Sequence, residues 1–214
     1  MEINQYIEHT LFDAQTSKAD VEQLCQDAIN NKWAAVCVPP FYVRTASNFL
    51  QEHPTIKVVT AIGYPMGYHA LPVKVEEIKR AIDEGVDEVE VIANISAIKD
   101  SNWSHVRNDI DSVTTAAHLK SKKVRIVLEV HLLTNQELQK LCEICTDVQV
   151  NAVKTSTDYT DTTVSTEQLQ KIKTYAKDIK VVVAGNIRQR AFIEDLLDAG
   201  AYRVGLMAAS SVNS

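Results

Sequence analysis

The sequence predicts an α/β protein of the (β/α)8-barrel class, and three observations carry that expectation. Short β-branched runs alternate with longer amphipathic segments along the whole chain, the pattern of parallel β-α-β units. Eight such units fit within 214 residues, the compact end of the barrel range. An open dinucleotide-binding sheet would want a G-x-G-x-x-G after an early strand, and the chain has only six glycines and no such motif.

The strands are expected at Tyr6 to Leu11, Ala34 to Val38, Lys57 to Ile62, Glu88 to Ile95, Val124 to His131, Ala152 to Thr155, Lys180 to Ala184 and Arg203 to Gly205. Helical patterns start near Ser17, Tyr42, Leu71, Ser101, Asn135, Ser165 and Arg188. Their start signals are hydroxyl or amide residues ahead of an acidic one: Thr16 and Ser17 before Asp20, Thr134 and Asn135 before Glu137, Ser165 before Glu167. The length suits one domain, residues 1–214.

Composition narrows the function. The apolar fraction is 45% and the charged fraction 23%, ordinary for a globular protein. A net charge of -6 and the lack of any basic cluster beyond Lys120-Ser121-Lys122-Lys123 argue against nucleic acid as a partner. The N-terminal residues lack the pattern of a signal peptide, and no apolar stretch approaches bilayer length, so no membrane partner is expected. Cys142 and Cys145 form a C-x-x-C inside a helical pattern, with no second pair and no histidine at ligand spacing. They read as small apolar residues on one helix face, and Cys25 and Cys37 suggest no disulfide framework. No metal site is expected, and a reducing cytoplasm is the default location.

Barrel active sites lie at the carboxyl ends of the strands, so polar residues there take a catalytic reading first. Those ends carry His9, Thr60, Glu90, Asn94, Glu129, His131, Lys154 to Thr157, Gly185-Asn186 and Gly205. Lys154 sits where a buried strand breaks into hydroxyl residues. A desolvated amine there suits imine formation on a carbonyl, while a lysine snorkelling from a strand edge fits the position equally well. Glu88 and Glu90 share one face of the fourth strand. Taken alone, Glu90 reads as half of a structural ion pair; near an amine it becomes a proton relay.

Several blocks together resemble the deoxyribose-phosphate aldolase family of class I aldolases. They are Ile7-Glu8-His9-Thr10-Leu11, Ala35-Val36-Cys37-Val38, Ile62-Gly63-Tyr64-Pro65-Met66-Gly67, Gly85-Val86-Asp87-Glu88-Val89-Glu90 with Asn94-Ile95, Lys154-Thr155-Ser156-Thr157, and Ala199-Gly200-Ala201-Tyr202-Arg203-Val204-Gly205. The resemblance implies a (β/α)8 fold and reversible cleavage of 2-deoxyribose 5-phosphate to glyceraldehyde 3-phosphate and acetaldehyde, without metal or organic cofactor. It implies a small aldehyde or sugar phosphate as partner, a role in deoxyribonucleotide catabolism, and a homodimer. Lys154 becomes the imine-forming lysine, Glu90 the relay where the family has aspartate, and Thr155, Thr157, Gly185, Asn186 and Gly205 the substrate-side residues.

The chain also departs from the family pattern. Val182 stands where the family carries a second lysine, so the sequence predicts no neighbouring cation to lower the pKa of Lys154. Lys180 has the same parity as Val182 but lies nearer the barrel floor. Thr162 and Thr163 replace a phosphate-cradling glycine pair, Asp158 and Asp161 add carboxylates, and Met207 and Ala208 replace a serine pair. These changes leave open an aldolase for an unphosphorylated or other aldehyde, and a weakened barrel retained for binding. His131 is an extra titratable group, for which a satisfied position on the rim is the favoured reading.

Overall fold

The computed structural model of the protein describes residues 2–157, 159 and 163–207. Its strands are β1 (Ile7–Thr10), β2 (Ala35–Val38), β3 (Lys57–Ile62), β4 (Glu88–Ile92), β5 (Lys123–Val127), β6 (Ala152–Lys154), β7 (Lys180–Val183) and β8 (Arg203–Leu206). Each pairs in parallel with the next, and β8 returns to β1 to close the barrel. The helices are α1 (Lys18–Asn31), α2 (Val43–Phe49), α3 (Leu71–Asp83), α4 (Ile95–Lys99), α5 (Trp103–His118), α6 (Asn135–Asp147), α7 (Thr166–Ala176) and α8 (Arg190–Asp198).

Strands buried on both faces must be apolar on the side that meets the helices, and the alternation is kept strictly here. Val36, Val58, Val89, Ile126, Val153, Val181 and Val204 face outward into the main core beneath the helices. The positions between them face the barrel axis. Near its mouth they are small or aliphatic, as with Cys37 beside Val59 and Ala61 beside Ile92 and Val127. Deeper inside they are charged.

Helix starts follow the sequence signals. Ser17, Thr134 and Ser165 are N-caps, each closing a reciprocal box with Asp20, Glu137 or Gln168. Most strands match the expected bounds to within a residue at each end, but β4 and β5 end well before them. β4 stops at Ile92 because Asn94 turns the chain and caps α4, a short helix the sequence pattern does not predict and whose first residue falls inside the expected strand. β5 stops at Val127 because Glu129 takes a left-handed conformation (φ 51°) and a 3-10 turn, Val130–Leu132, follows. No helix among the described residues is long and apolar enough to cross a membrane.

Candidate active site

Lys154 ends β6 with its side chain turned to the barrel axis, 1% exposed. Its Nζ donates to both oxygens of Glu90, at 3.1 Å to Oε1 and 2.9 Å to Oε2. Glu90 comes from β4, two strands away around the wall, and is fully buried. Gly205 lies beside the lysine stem: a Cβ there would touch Lys154 Cε at an ordinary 3.6 Å and crowd the Ala184 methyl at 3.2 Å.

The pair belongs to a larger interior network. Glu8 on β1 lies 3.7 Å from Lys154 Nζ and accepts from Arg125 on β5 and, at 2.9 Å, from Arg203 on β8. Arg125 also donates to Glu90 Oε2 through Nε (3.0 Å), with Nη2 in ion-pair contact with the same oxygen at 2.8 Å. Arg203 reaches down to Glu88 at 2.9 Å. Three buried carboxylates, Glu8, Glu88 and Glu90, thus face three buried cations, Lys154, Arg125 and Arg203. Such burial is tolerable because every charge is matched by an opposite one, although Arg125 Nη1, 3.7 Å from Glu88, has no hydrogen-bond partner among the described residues. Cys37 completes the ring, its thiol donating to Glu90 Oε1 at 3.6 Å.

The electrostatic consequence follows from that balance. Burial alone would lower the pKa of Lys154, but Glu90 and then Glu8 outweigh it and hold the amine above its ordinary value. Burial would raise the Glu8 carboxyl, yet Arg125, Lys154 and Arg203 together hold it well below the usual carboxylate range. Burial, and then Glu90, push the Cys37 thiol well up. The expectation of a lysine with no neighbouring cation needs correction. Val182 is indeed inward beside Lys154 in the register, but Arg125 shares Glu90 with it. The ligand atoms of Glu8, Cys37 and Glu90 lie within 4.8 Å of one another, close enough together to hold a metal ion. Their carboxylates already accept from fixed cations, which a metal ion would have to displace.

Residues 3–210 match the DeoC/LacD family aldolase over nearly the whole chain. The chain belongs to the DeoC/LacD family of aldolases. It is 36% identical over 206 residues to a deoxyribose-phosphate aldolase of Thermococcus kodakarensis, covering 95% of this chain and 92% of that one. To the deoxyribose-phosphate aldolase of an Exiguobacterium species it is 35% identical over 213 residues, 99% of this chain and 96% of the relative. Among solved structures it superposes on the aldolase QR15 with a TM-score of 0.91 at 28% identity, covering 98% of this chain and 93% of that one. A tetrameric deoxyribose phosphate aldolase from Aeropyrum pernix shares the fold, with a TM-score of 0.90 at 23% identity over 98% of this chain and 88% of that one.

Within this family member the remaining sequence-predicted residues divide by position. Thr155 is buried and fully engaged by β7: its hydroxyl donates to Ala184 O (2.6 Å) and accepts from Ala184 N (2.8 Å). Thr157 is buried too, its N–H bound to Glu129 Oε1 at 2.8 Å. Glu129 also accepts from Ser156 and lies 3.6 Å from His131 Nδ1, so the carboxylate ties the turn after Lys154 to the end of β5. Gly185 is buried after β7, and Asn186 beyond it is exposed, its Oδ1 accepting from Arg188. His9 and Thr60 face the helices: the His9 ring meets Trp33 edge-on, and Thr60 bonds Val38 O. Asn94 serves as the α4 cap. Lys180 is exposed at the floor, over the Tyr202 ring, as its strand position suggested. Asp158, Asp161, Thr162 and Ala208 lie outside the described residues; Thr163 and Met207 are exposed.

The sequence reading missed Glu8, Arg125 and Arg203. Strand parity could have found them. Each alternates with apolar neighbours that meet the helices, so each had to point into the barrel.

Aromatic side chains line the mouth. Phe12, after β1, packs against the Tyr64 ring at 4.8 Å, and Tyr64 meets Tyr159 edge-on at 6.0 Å. Phe12 and Tyr64 both rest on the aliphatic layer of Ala61, Ile92 and Val127.

Proposed function

We propose that this aldolase cleaves 2-deoxyribose 5-phosphate reversibly to glyceraldehyde 3-phosphate and acetaldehyde, through an imine on Lys154. The observation that carries the reading is a fully buried amine held by a fully buried carboxylate near the mouth of a closed barrel. In the proposed sequence Glu90 takes a proton from Lys154 and passes it to solvent, and the neutral amine adds to the substrate aldehyde. Glu90, protonated again from solvent, gives that proton to the departing hydroxyl, leaving an iminium ion and water. The iminium is the electron sink for the next bond. Glu90 then accepts the proton of the C3 hydroxyl as the C2–C3 bond breaks, releasing glyceraldehyde 3-phosphate and an enamine on Lys154. Protonation of the enamine at C2 and hydrolysis of the resulting imine release acetaldehyde.

An iminium ion keeps the positive charge that the surrounding carboxylates require, whereas a neutral amine leaves the interior one charge short. Imine formation is therefore the step most sensitive to pH. Gly185 and Asn186 are the proposed substrate-side residues at the end of β7. Gly205 acts by making room for Lys154, and Thr155 and Thr157 by fixing the backbone that carries it. A homodimer in the cytoplasm remains the assembly and location proposed from the sequence.

A second reading, cleavage of an unphosphorylated sugar, is favoured by the aromatic mouth formed by Phe12, Tyr64 and Tyr159. Acetaldehyde release from 2-deoxyribose 5-phosphate, measured beside 2-deoxyribose, separates the two. The proposed activity predicts release from the phosphate ester. Release from the free sugar alone transfers the proposal to unphosphorylated substrates, and release from neither removes the assignment.

A further inference from the structure

We propose that Arg125 is a positioning residue of the reaction, the second cation of this site: it pins Oε2 of Glu90 and leaves Oε1 as the oxygen that exchanges the proton with Lys154. The inference rests on the assignment of Lys154 and Glu90 above and goes beyond it. Glu90 Oε2 is crowded, accepting from Arg125 Nε at 3.0 Å and Lys154 Nζ at 2.9 Å, with the charge of Arg125 Nη2 a further 2.8 Å contact. Oε1 accepts only from Lys154 Nζ at 3.1 Å and the weak thiol donor of Cys37 at 3.6 Å, among the described residues. A guanidinium does not give up its proton in a protein, so the oxygen that accepts from Nε and lies against Nη2 has little room to accept another. A proton leaving Lys154 is thereby directed to Oε1, which already faces the amine.

The same guanidinium also acts on the charge of Lys154. The groups around that amine are Glu8 on β1, Cys37 on β2, Glu88 and Glu90 on β4, Arg125 on β5 and Arg203 on β8, with Tyr64 above; β7 contributes Val182, and Lys180 only at the exposed floor. Burial and Arg125 favour losing the amine proton, while Glu90, Glu8 and Cys37 oppose it. Arg125 donates through Nε to Glu90 and through Nη2 to Glu8, so it holds its place between the two carboxylates without a side-chain partner on β7. A cavity of about 120 Å³ lies on the floor side of Val182 and Arg125, walled by Ala152, Lys180 and Tyr202.

The test is the pH profile of imine formation, read as the rate of borohydride trapping with acetaldehyde, for the full chain and for R125Q, R125K and R125Q/V182K. R125Q is expected to move the profile at least one pH unit toward alkali, a tenfold or greater loss of rate at neutral pH. R125K should keep most of the position of the profile, because the charge survives. R125Q/V182K should bring it back by returning a cation from β7. Circular dichroism establishes that each variant is folded; should R125Q fail to fold, R125K with V182K alone decides, the latter being expected to shift the profile toward acid. An unmoved profile in folded R125Q, a profile in R125K displaced by more than one unit, or an unmoved V182K profile overturns the role of Arg125. Failure of the parent protein to be trapped on Lys154 at any pH removes instead the assignment beneath it.

Discussion

Position alone left Lys154 divided between imine formation and a lysine snorkelling from a strand edge, and the resemblance of the block Lys154-Thr155-Ser156-Thr157 to the aldolase family made it the candidate. Its protonation was only half legible. The expected direction, a pKa kept high by a carboxylate, agrees with Glu90 and Glu8 outweighing burial. The guanidinium that moderates it was hidden, because Arg125 and Glu90 meet only through the pairing of β4 with β5. Each unit by which the amine pKa exceeds the working pH lowers the reactive fraction about tenfold, worth about 1.4 kcal/mol. The rate of imine formation should therefore climb steeply from neutral to alkaline pH, and a rate flat across that range would show that proton loss from Lys154 does not limit the step. Gly205 gives a second check. A Gly205→Val change would set two methyl groups against the Lys154 stem and the Ala184 methyl. It should cut the trapping rate at least tenfold while the protein stays folded by circular dichroism; an undiminished rate would mean that the lysine has another path.

At the scale of elements, seven of the eight helix starts and all eight strand positions follow from periodicity and capping signals. The misses fall at β4 and β5, where apolar residues continue beyond the strand and mask its end. Asn94 and Glu129 end those strands through a cap and a left-handed turn, local choices that an apolar run does not reveal. Thr155 shows how a residue in a functional block can belong to the scaffold. Its hydroxyl satisfies both the N–H and the carbonyl of Ala184, joining β6 to β7 directly beside Lys154. Thr155→Val would leave two buried backbone groups without that partner, a loss of about 1–3 kcal/mol for each one left unsatisfied. Thermal unfolding should register the change as a lower Tm with KM for the substrate little altered. A raised KM at unchanged Tm would place Thr155 on the substrate instead. The buried pair of Lys74 on α3 and Asp109 on α5, at 2.7 Å, fastens the helices beside the turn after β3. Lys74→Met would strand the aspartate and should cost about 3–5 kcal/mol in chemical denaturation; a loss below about 1 kcal/mol would mean that the pair contributes little.

For the whole molecule, the closed barrel was the most legible feature, since eight parallel units and few glycines leave little alternative. The charge balance inside it was not, because its members come from five different strands. It has a consequence for stability against pH. Glu8 has a folded pKa depressed below its ordinary 4.5, so its contribution is present above that value and is lost as pH falls through the folded pKa. Lys154 has a folded pKa raised above its ordinary 10.5, so its contribution is present below that value and fades as pH rises through the folded pKa. Unfolding free energy should thus hold level across neutral pH and decline below about pH 4.5, with the decline attenuated in Glu8→Gln, measured against that variant's own neutral value. An equal acid-side slope in both proteins would move the acid sensitivity to other carboxylates.

The central claim is covalent chemistry at Lys154, and it has a direct measurement. Acetaldehyde and borohydride are added together, and the peptides are then mapped by mass. The account predicts one added ethyl group, on the peptide that contains Lys154, absent when Lys154→Ala is treated in the same way. Label on a different lysine, or label that persists in Lys154→Ala, would contradict it.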